Sequence, residues 1–254
     1  MDEEFDYAET MIEQIGQDAW NRIIVTPEHF EAKKRMVGDL DENEHKAWII
    51  NKFLVRFKNL GAKIEVHEDG YVSIFMPEED DVIDIHHLGM HHSPLMFREV
   101  KGNFRISGSF GENNEGHSDL ITLKGCPQKV TGSFDCSGNR DLKTLVGGPQ
   151  IVTKDYNCSN TSITNFEGTP KQIGGIFSFD NVKVADLEGI PAAENYRSTG
   201  KWNSESIKNY VKNMGAAKAI NPEKYKSEGS KEMASTFKDF FKQQATNVDD
   251  EDED

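Results

Sequence analysis

The sequence predicts an α+β fold in which a short β-solenoid is capped by helices at both ends. Prolines recur at steps of 22, 21 and 21 residues, at positions 127, 149, 170 and 191. A similar pattern of apolar, glycine and aromatic residues surrounds each proline. Helical apolar periodicity flanks this region on both sides. A fixed period of this length is typical of stacked repeats, here about four or five repeats of 21–22 residues.

Residues 1–83 are predicted to form an N-terminal cap, which a solenoid needs because its first repeat otherwise exposes apolar surface. The first 25 residues show helical apolar spacing, interrupted by Gly16. Thr26 and Pro27 then form a typical helix start, with Thr26 as the N-cap, and this second helix should end near Gly38.

A third helix and a β-hairpin should complete this cap. Asp41 followed by Glu44 predicts a capping box, and Gly61 a helix end. The segments 62–66 and 71–76 alternate in polarity around a Glu-Asp-Gly turn, which indicates two antiparallel strands.

Residues 84–195 carry the repeats. The three readable copies contain Leu123, Gly125, Pro127, Val130, Phe134, Cys136 and Asn139, then Leu145, Pro149, Val152, Tyr156, Cys158 and Asn160, then Phe166, Gly168, Pro170, Ile173, Phe177, Phe179 and Asn181. From 84 to 122 the pattern is degenerate and is interrupted by a Gly-, Asn- and Glu-rich insertion at 108–118. A fourth copy opens at Leu187 and stops after Pro191.

The three cysteines are predicted to be buried, reduced thiols. Cys136 and Cys158 each follow an aromatic residue by two positions, so they share its inward face on a strand. Cys126 lies in a turn, and an odd count argues against a disulfide framework. A redox or metal role for Cys136 and Cys158 is the alternative.

Residues 196–246 are predicted to form C-terminal helices. One begins at Ser204 and stops at Gly215, and another spans 230–245 with Phe237, Phe240 and Phe241 on one side. This apolar stripe should cover the last repeat or dock onto a partner. Residues 247–254 form an acidic tail, predicted to be disordered, that either keeps the protein in solution or occupies a basic groove on a partner.

Charge restricts the classes of partner. The formal net charge is -15, of which six negative charges lie in the run 249–254. Such a chain repels nucleic acid and anionic membranes, so neither is expected as a direct partner. The acidic N-terminus lacks signal-peptide features, and no apolar run is long enough to span a membrane, which predicts a cytoplasmic protein.

The repeated pattern resembles a known family. Phe134, Cys136, Asn139 and Leu142 stand at the spacing of a leucine-rich repeat. The wider sequence pattern, L-x-G-x-P-x-x-V-x-G-x-F-x-C-S-x-N, is similar to the repeats of leucine-rich-repeat-like proteins of tailed bacteriophages and bacteria. The resemblance covers about 84–191 and implies short stacked strands, an asparagine ladder against neighbouring backbone, and protein–protein interaction without shared catalytic residues. It also implies a location in the host cytoplasm or in the virion.

One segment suggests metal chemistry. His86, His87, His91 and His92 follow the acidic stretch 78–84, and imidazole and carboxylate groups together can bind a transition metal. A pH-sensitive patch and a simple polar turn are the alternatives. The sequence has no P-loop, dinucleotide-binding glycine pattern or nucleophile elbow, so neither an enzyme nor a cofactor is expected.

The leading hypothesis is a non-enzymatic, phage-encoded scaffold that binds a host or phage protein. Its surface would be the strand face between the core residues, lined by Ser133, Asp135, Asn157 and Ser178, and extended by the insertion 108–118. The first alternative is a virion structural or assembly component, such as a capsid or tail accessory protein. The second is a metal-dependent enzyme at the cluster 86–92.

Overall fold

The computed structural model describes residues 7–25, 41–85, 93–108, 120–199 and 201–220. The chain forms two compact units, Met1–Lys208 and Asn209–Asp254, and both β-sheets belong to the first. The helices predicted at 26–38 and 230–245, the histidine cluster, the acidic tail and all of the insertion except Gly108 lie outside the described residues.

The helices of the N-terminal region follow the predicted order. Their ranges are Tyr7–Ile15 (α1), Gln17–Arg22 (α2), Glu42–Ile50 (α3), a π-helical turn at Asn51–Val55 and Arg56–Asn59 (α4). Gly16, at φ 88°, separates α1 from α2. The capping box is confirmed: the Asp41 carboxylate accepts from the Glu44 N–H at 2.9 Å, and the Glu44 carboxylate accepts from the Asp41 N–H at 3.0 Å.

Two sheets make up the solenoid, and parallel pairing dominates both. The strands are Lys63–Val66 (β1), Val72–Phe75 (β2), Val82–Asp84 (β3), Phe97–Lys101 (β4), Asn103–Arg105 (β5), Lys129–Val130 (β6), Phe134–Asp135 (β7), Ile151–Val152 (β8), Tyr156–Asn157 (β9), Ile176–Ser178 (β10) and Asn195–Arg197 (β11). One sheet has the order β1-β2-β4-β6-β8, the other β11-β10-β9-β7-β5-β3. The predicted hairpin is confirmed as the antiparallel pair β1–β2, and every other pair is parallel.

A column of aromatic side chains forms the core of the six-stranded sheet. Register pairs Phe104 with Phe134, Phe134 with Tyr156, and Tyr156 with Phe177, and all four are buried. Successive ring centroids lie 6.0, 5.0 and 5.7 Å apart. Each buried ring contributes about 2–3 kcal/mol of apolar burial, and each ring pair about 1 kcal/mol more. Each strand layer of the solenoid is therefore stabilised by its contacts with the neighbouring layers.

The turns that directly precede the repeat prolines are built alike in all four copies. A hydrogen bond closes each turn across three residues, from Cys126 N to Leu123 O at 2.9 Å, Gly148 N to Leu145 O at 3.1 Å, Thr169 N to Phe166 O at 3.2 Å and Ile190 N to Leu187 O at 3.2 Å. The third residue is glycine at φ 76–90° in each. A type II turn requires that positive φ, which explains the Gly-x-Pro repeat.

Two strand layers that the sequence obscured are regular. The degenerate stretch after residue 84 contains β4 and β5, and Phe104 lies in the same buried column as Phe134. The fourth copy, expected to stop after Pro191, continues into β11, where Tyr196 pairs with Phe177. The insertion hides the first case, because it stretches the step from Phe104 to Phe134 to 30 residues. A shortened step of 19 residues from Phe177 to Tyr196 hides the second.

The asparagine ladder is correct for one copy and wrong for two. Asn139 is buried, and its amide donates to Ile106 O at 2.9 Å and Cys136 O at 2.8 Å. Thr161 takes this place in the next copy, since its hydroxyl donates to Cys158 O at 2.8 Å. Asn160 and Asn181 stand one residue earlier at φ 57° and bond each other, amide to carbonyl, at 2.8 Å. Asparagine tolerates this conformation, so the two residues occupy a turn position instead.

The helix Ser204–Ile220 (α5) continues past Gly215, where the sequence predicted its end. Alanines at 216, 217 and 219 are strong helix formers and offset the cost of one glycine, about 1 kcal/mol. Within the described ranges, no helix has the length and apolar character needed to cross a membrane.

Candidate functional site

The outward face of the six-stranded sheet forms an open groove of about 410 Å³, here called the ladder groove. Side chains alternate along a strand, so the residues before and after each buried aromatic point outward. The ladder groove is lined by Val82, Asn103, Phe104, Arg105, Ser133, Phe134, Asp135, Asp155, Asn157, Ile176, Ser178 and Arg197.

All four strand residues singled out from the sequence line this groove. Asp135, Asn157 and Ser178 are register partners on β7, β9 and β10, and they form one row across the sheet. Ser133 precedes Phe134 and belongs to the second outward row. Adjacent strands are about 4.8 Å apart, so neighbours in a row can contact one ligand.

Sequence reasoning missed two arginines at this site. Arg105 and Arg197 extend the same row on β5 and β11, because each follows a buried aromatic just as Asp135 follows Phe134. The alternation around Phe104 and Tyr196 was the available signal. It was hidden because these two layers lie in the degenerate and truncated copies.

The protein's own backbone engages one oxygen of each groove carboxylate and the side-chain carbonyl of Asn157. The carboxylate of Asp135 accepts from Ser137 N–H at 2.9 Å, and that of Asp155 accepts from Ile176 N–H at 2.7 Å. The side-chain carbonyl of Asn157 accepts from the N–H two residues on, at 3.1 Å. These bonds hold the side chains in fixed orientations.

The two arginines differ in how far they are neutralised. Arg105 lies between two carboxylates, with nitrogen–oxygen distances of 3.6 Å to Asp84 and 3.9 Å to Asp135. Among the described residues, Arg197 pairs through Nε with Asp180 alone, at 2.8 Å, and its side chain is 76% exposed. Arg197 therefore carries the more available positive charge.

The β3 end of the groove is acidic. Asp84 ends β3, and the turn before this strand carries acidic residues from 78 to 81. Asp80 bonds Lys154 at 3.0 Å, and this hydrogen bond and the nearby negative charge raise the pKa of Lys154 above its ordinary value. The groove thus runs from an acidic end at β3 to an exposed arginine, paired with one carboxylate, at β11.

The cysteines are buried free thiols, as predicted. Burial raises the pKa of Cys126, Cys136 and Cys158 well above the usual thiol value, so all three are protonated at neutral pH. A thiol in this state is a poor nucleophile and a poor metal ligand. The hydroxyl of Tyr156 is also buried and has no hydrogen-bond partner of good geometry among the described residues. Burial raises the pKa of Tyr156 well above its usual value, and the nearby Cys136 thiol adds to this rise.

Two predicted sites fall outside the described residues. These are the metal candidates His86, His87, His91 and His92 and the aromatic anchors Phe237, Phe240 and Phe241. In the part of the chain that the structure describes, no three histidine, cysteine or acidic side chains are grouped to hold a metal ion. Metal binding at 86–92 stays a prediction.

A second cleft, also about 410 Å³, lies between the N-terminal helices and β1. Its floor is apolar, and its rim carries Arg22, Lys58 and Lys63. These cations already have partners: Arg22 donates to Asp18 O, Lys58 donates to Gln14 O at 2.8 Å, and Lys63 pairs with Glu65 at 2.6 Å. The ladder groove differs from this cleft because its lining combines acidic, basic and neutral polar side chains in rows across the sheet.

No protein-family model, curated protein or solved structure matches this chain.

Proposed function

We propose that this protein is a non-enzymatic scaffold that binds another protein through the ladder groove. The observation that carries the proposal is the row of polar side chains at one position of successive strands, from Arg105 to Arg197. The five strands that carry this row extend about 19 Å, which matches roughly six residues of an extended chain.

Rigidity supports this proposal. The strands beneath the groove rest on the stacked aromatic column, and bonds from Ser137 and Ile176 N–H fix the outward carboxylates. Side chains that are already ordered lose little conformational entropy when a partner binds. A fixed face of this kind favours recognition of a folded or extended protein segment.

The chemistry of the groove favours binding over catalysis. The described lining contains neither histidine nor cysteine. Acid–base chemistry would therefore depend on Asp135 or Asp155, and backbone N–H groups already engage both carboxylates. The repeat sequence is similar to that of phage-type leucine-rich-repeat-like proteins. This similarity extends the proposal to a phage-encoded protein that acts on a host or phage protein.

Steric blocking tests the proposal. Ser133→Tyr and Ser178→Tyr together would fill the groove from two outward strand positions while leaving the core unchanged. Thr164→Tyr adds the same ring at an exposed position outside the groove and serves as the matched control. A partner captured by the wild-type chain, identified by mass spectrometry and then purified, should bind the double variant at least ten-fold more weakly than the control. Equal affinity for the double variant and the control would refute binding through this face.

A further inference from the structure

Hydrogen-bonding capacity in the ladder groove is unequal. Its acceptors at Asp135, Asp155 and Asn157 are engaged by backbone N–H groups. The Asn157 amide N–H₂ and the Ser178 hydroxyl donate no hydrogen bond to any described residue. The row of Asn157, Ser178 and Arg197 therefore offers a ligand more donors than acceptors.

These donors are consecutive and end at a cation. Asn157, Ser178 and Arg197 are register partners on β9, β10 and β11. At about 4.8 Å per strand, the three side chains extend over about 10 Å. Asp180 holds Arg197 through Nε at 2.8 Å, which leaves the two terminal nitrogens of the guanidinium for a ligand.

The opposite end of the groove selects against the same ligand. Arg105 is flanked by Asp84 and Asp135, and the acidic turn 78–81 lies beside β3. A negative group is therefore favoured only at the β11 end. Asp180 balances part of the Arg197 charge locally. The negative charge of more distant groups acts weakly there, because screening at physiological salt has a range of about 8 Å.

We propose that Asn157, Ser178 and Arg197 form a carboxylate-binding site that receives an aspartate or glutamate side chain of the partner. The proposal rests on the proposed function, since it names the chemistry of the segment that enters the groove. Charge-assisted bonds to the Arg197 guanidinium supply most of the preference, and the Ser178 hydroxyl and Asn157 amide add donors along the segment that carries the carboxylate.

Two matched peptides test the site directly. An acetylated and amidated peptide of four Ser-Glu repeats carries side-chain carboxylates alone, and its Ser-Gln counterpart is nearly isosteric and uncharged. Titration of the ¹⁵N-labelled full chain should show shifts at the side-chain amide of Asn157 and at Arg197 Nε, with a Kd of about 1 mM or tighter for the glutamate peptide. The glutamine peptide should bind about ten-fold more weakly.

Variants then locate the binding energy. Arg197→Gln should weaken the glutamate peptide about five-fold, since an exposed charge is partly screened. Arg140→Gln makes the same charge change at an exposed position outside the groove and should leave the affinity unchanged. Ser178→Ala removes one donor without touching the arginine and should weaken binding about two-fold. Unchanged urea midpoints would show that the variants fold.

The outcomes separate this inference from the proposed function. Equal binding of both peptides, or an Arg197→Gln effect no larger than that of Arg140→Gln, overturns the carboxylate site. Displacement of the glutamate peptide by inorganic phosphate at equal concentration overturns the assignment to a peptide carboxylate and indicates a simple anion. A partner that loses binding to the tyrosine double variant but tolerates Arg197→Gln would leave the proposed function standing without this inference.

Discussion

Substitution of two equivalent turn glycines by alanine should separate two free-energy costs. One is the cost of the left-handed backbone conformation, and the other is the cost of a steric clash with the neighbouring repeat. Gly168 and Gly189 both stand third in a turn that directly precedes a repeat proline, at φ 88° and 76°. A Cβ at Gly168 would lie 2.3 Å from backbone atoms of Leu145 and Val146 in the preceding turn. A Cβ at Gly189 would meet nothing closer than 3.8 Å.

The structure sets different magnitudes for the two changes. Gly189→Ala should lower the free energy of unfolding by about 1–2 kcal/mol, because only the left-handed backbone conformation opposes the new side chain. Gly168→Ala carries the same conformational cost. It also forces two stacked backbones apart, which adds about 1–3 kcal/mol by analogy with overpacked cores. We therefore expect a loss of about 2–5 kcal/mol, a large share of the roughly 5–15 kcal/mol that stabilises an ordinary domain.

Urea unfolding followed by circular dichroism measures both free energies, and an unchanged slope would show that the transition remains comparable. Gly147→Ala is an internal check, because its Cβ would lie 3.0 Å from Lys124 N and the loss should fall between the other two. Losses for Gly168→Ala and Gly189→Ala within about 0.5 kcal/mol of each other would refute the idea that close backbone approach limits this position.

Two further predictions concern the buried core. Tyr156→Phe should raise the free energy of unfolding by about 1 kcal/mol, because it removes a buried hydroxyl that makes no good hydrogen bond; a clear loss in urea unfolding would instead reveal a useful contact with the Cys136 thiol. Stability should also fall at alkaline pH. Because burial raises the thiol pKa of Cys126, Cys136 and Cys158, the folded chain keeps these protons at a pH where the unfolded chain loses them. Their contribution to the free energy of unfolding is complete below the unfolded pKa near 9.0 and declines as the pH rises from there towards the folded pKa. The slope is up to about 1.4 kcal/mol per pH unit for each thiol, so urea midpoints that stay level from pH 8 to 10 would contradict it.

The sequence predicted the parts of the fold that repeat at constant length. The copies containing Phe134, Tyr156 and Phe177 have nearly equal steps, and their strands pair in the expected register. The layer of Phe104 could be recognised only as a degenerate copy, and the layer of Tyr196 was missed, because their connections are longer or shorter than the period. Register is set by packing of the inward side chain, whereas period is set by the length of the connection.

The candidate site was predictable to a similar degree. Alternation around Phe134, Tyr156 and Phe177 identified Ser133, Asp135, Asn157 and Ser178 as outward residues, and they line one groove. The balance of free donors and engaged acceptors was not predictable. It depends on whether a side chain bonds the backbone two residues ahead, as Asp135 and Asn157 do, and that is a matter of local backbone geometry.

The long step between the layers of Phe104 and Phe134 has a practical consequence. The two rings pair in register and lie parallel, although 30 residues separate them and only 22 separate Phe134 from Tyr156. Closing a longer loop costs only about 0.6 kcal/mol for each doubling of its length. The connection between 108 and 120 is therefore a place where new sequence, such as a reporter domain or a second recognition motif, can be spliced in while the strands stack as before. A solenoid of this kind can change what it recognises by insertion and keep its core intact.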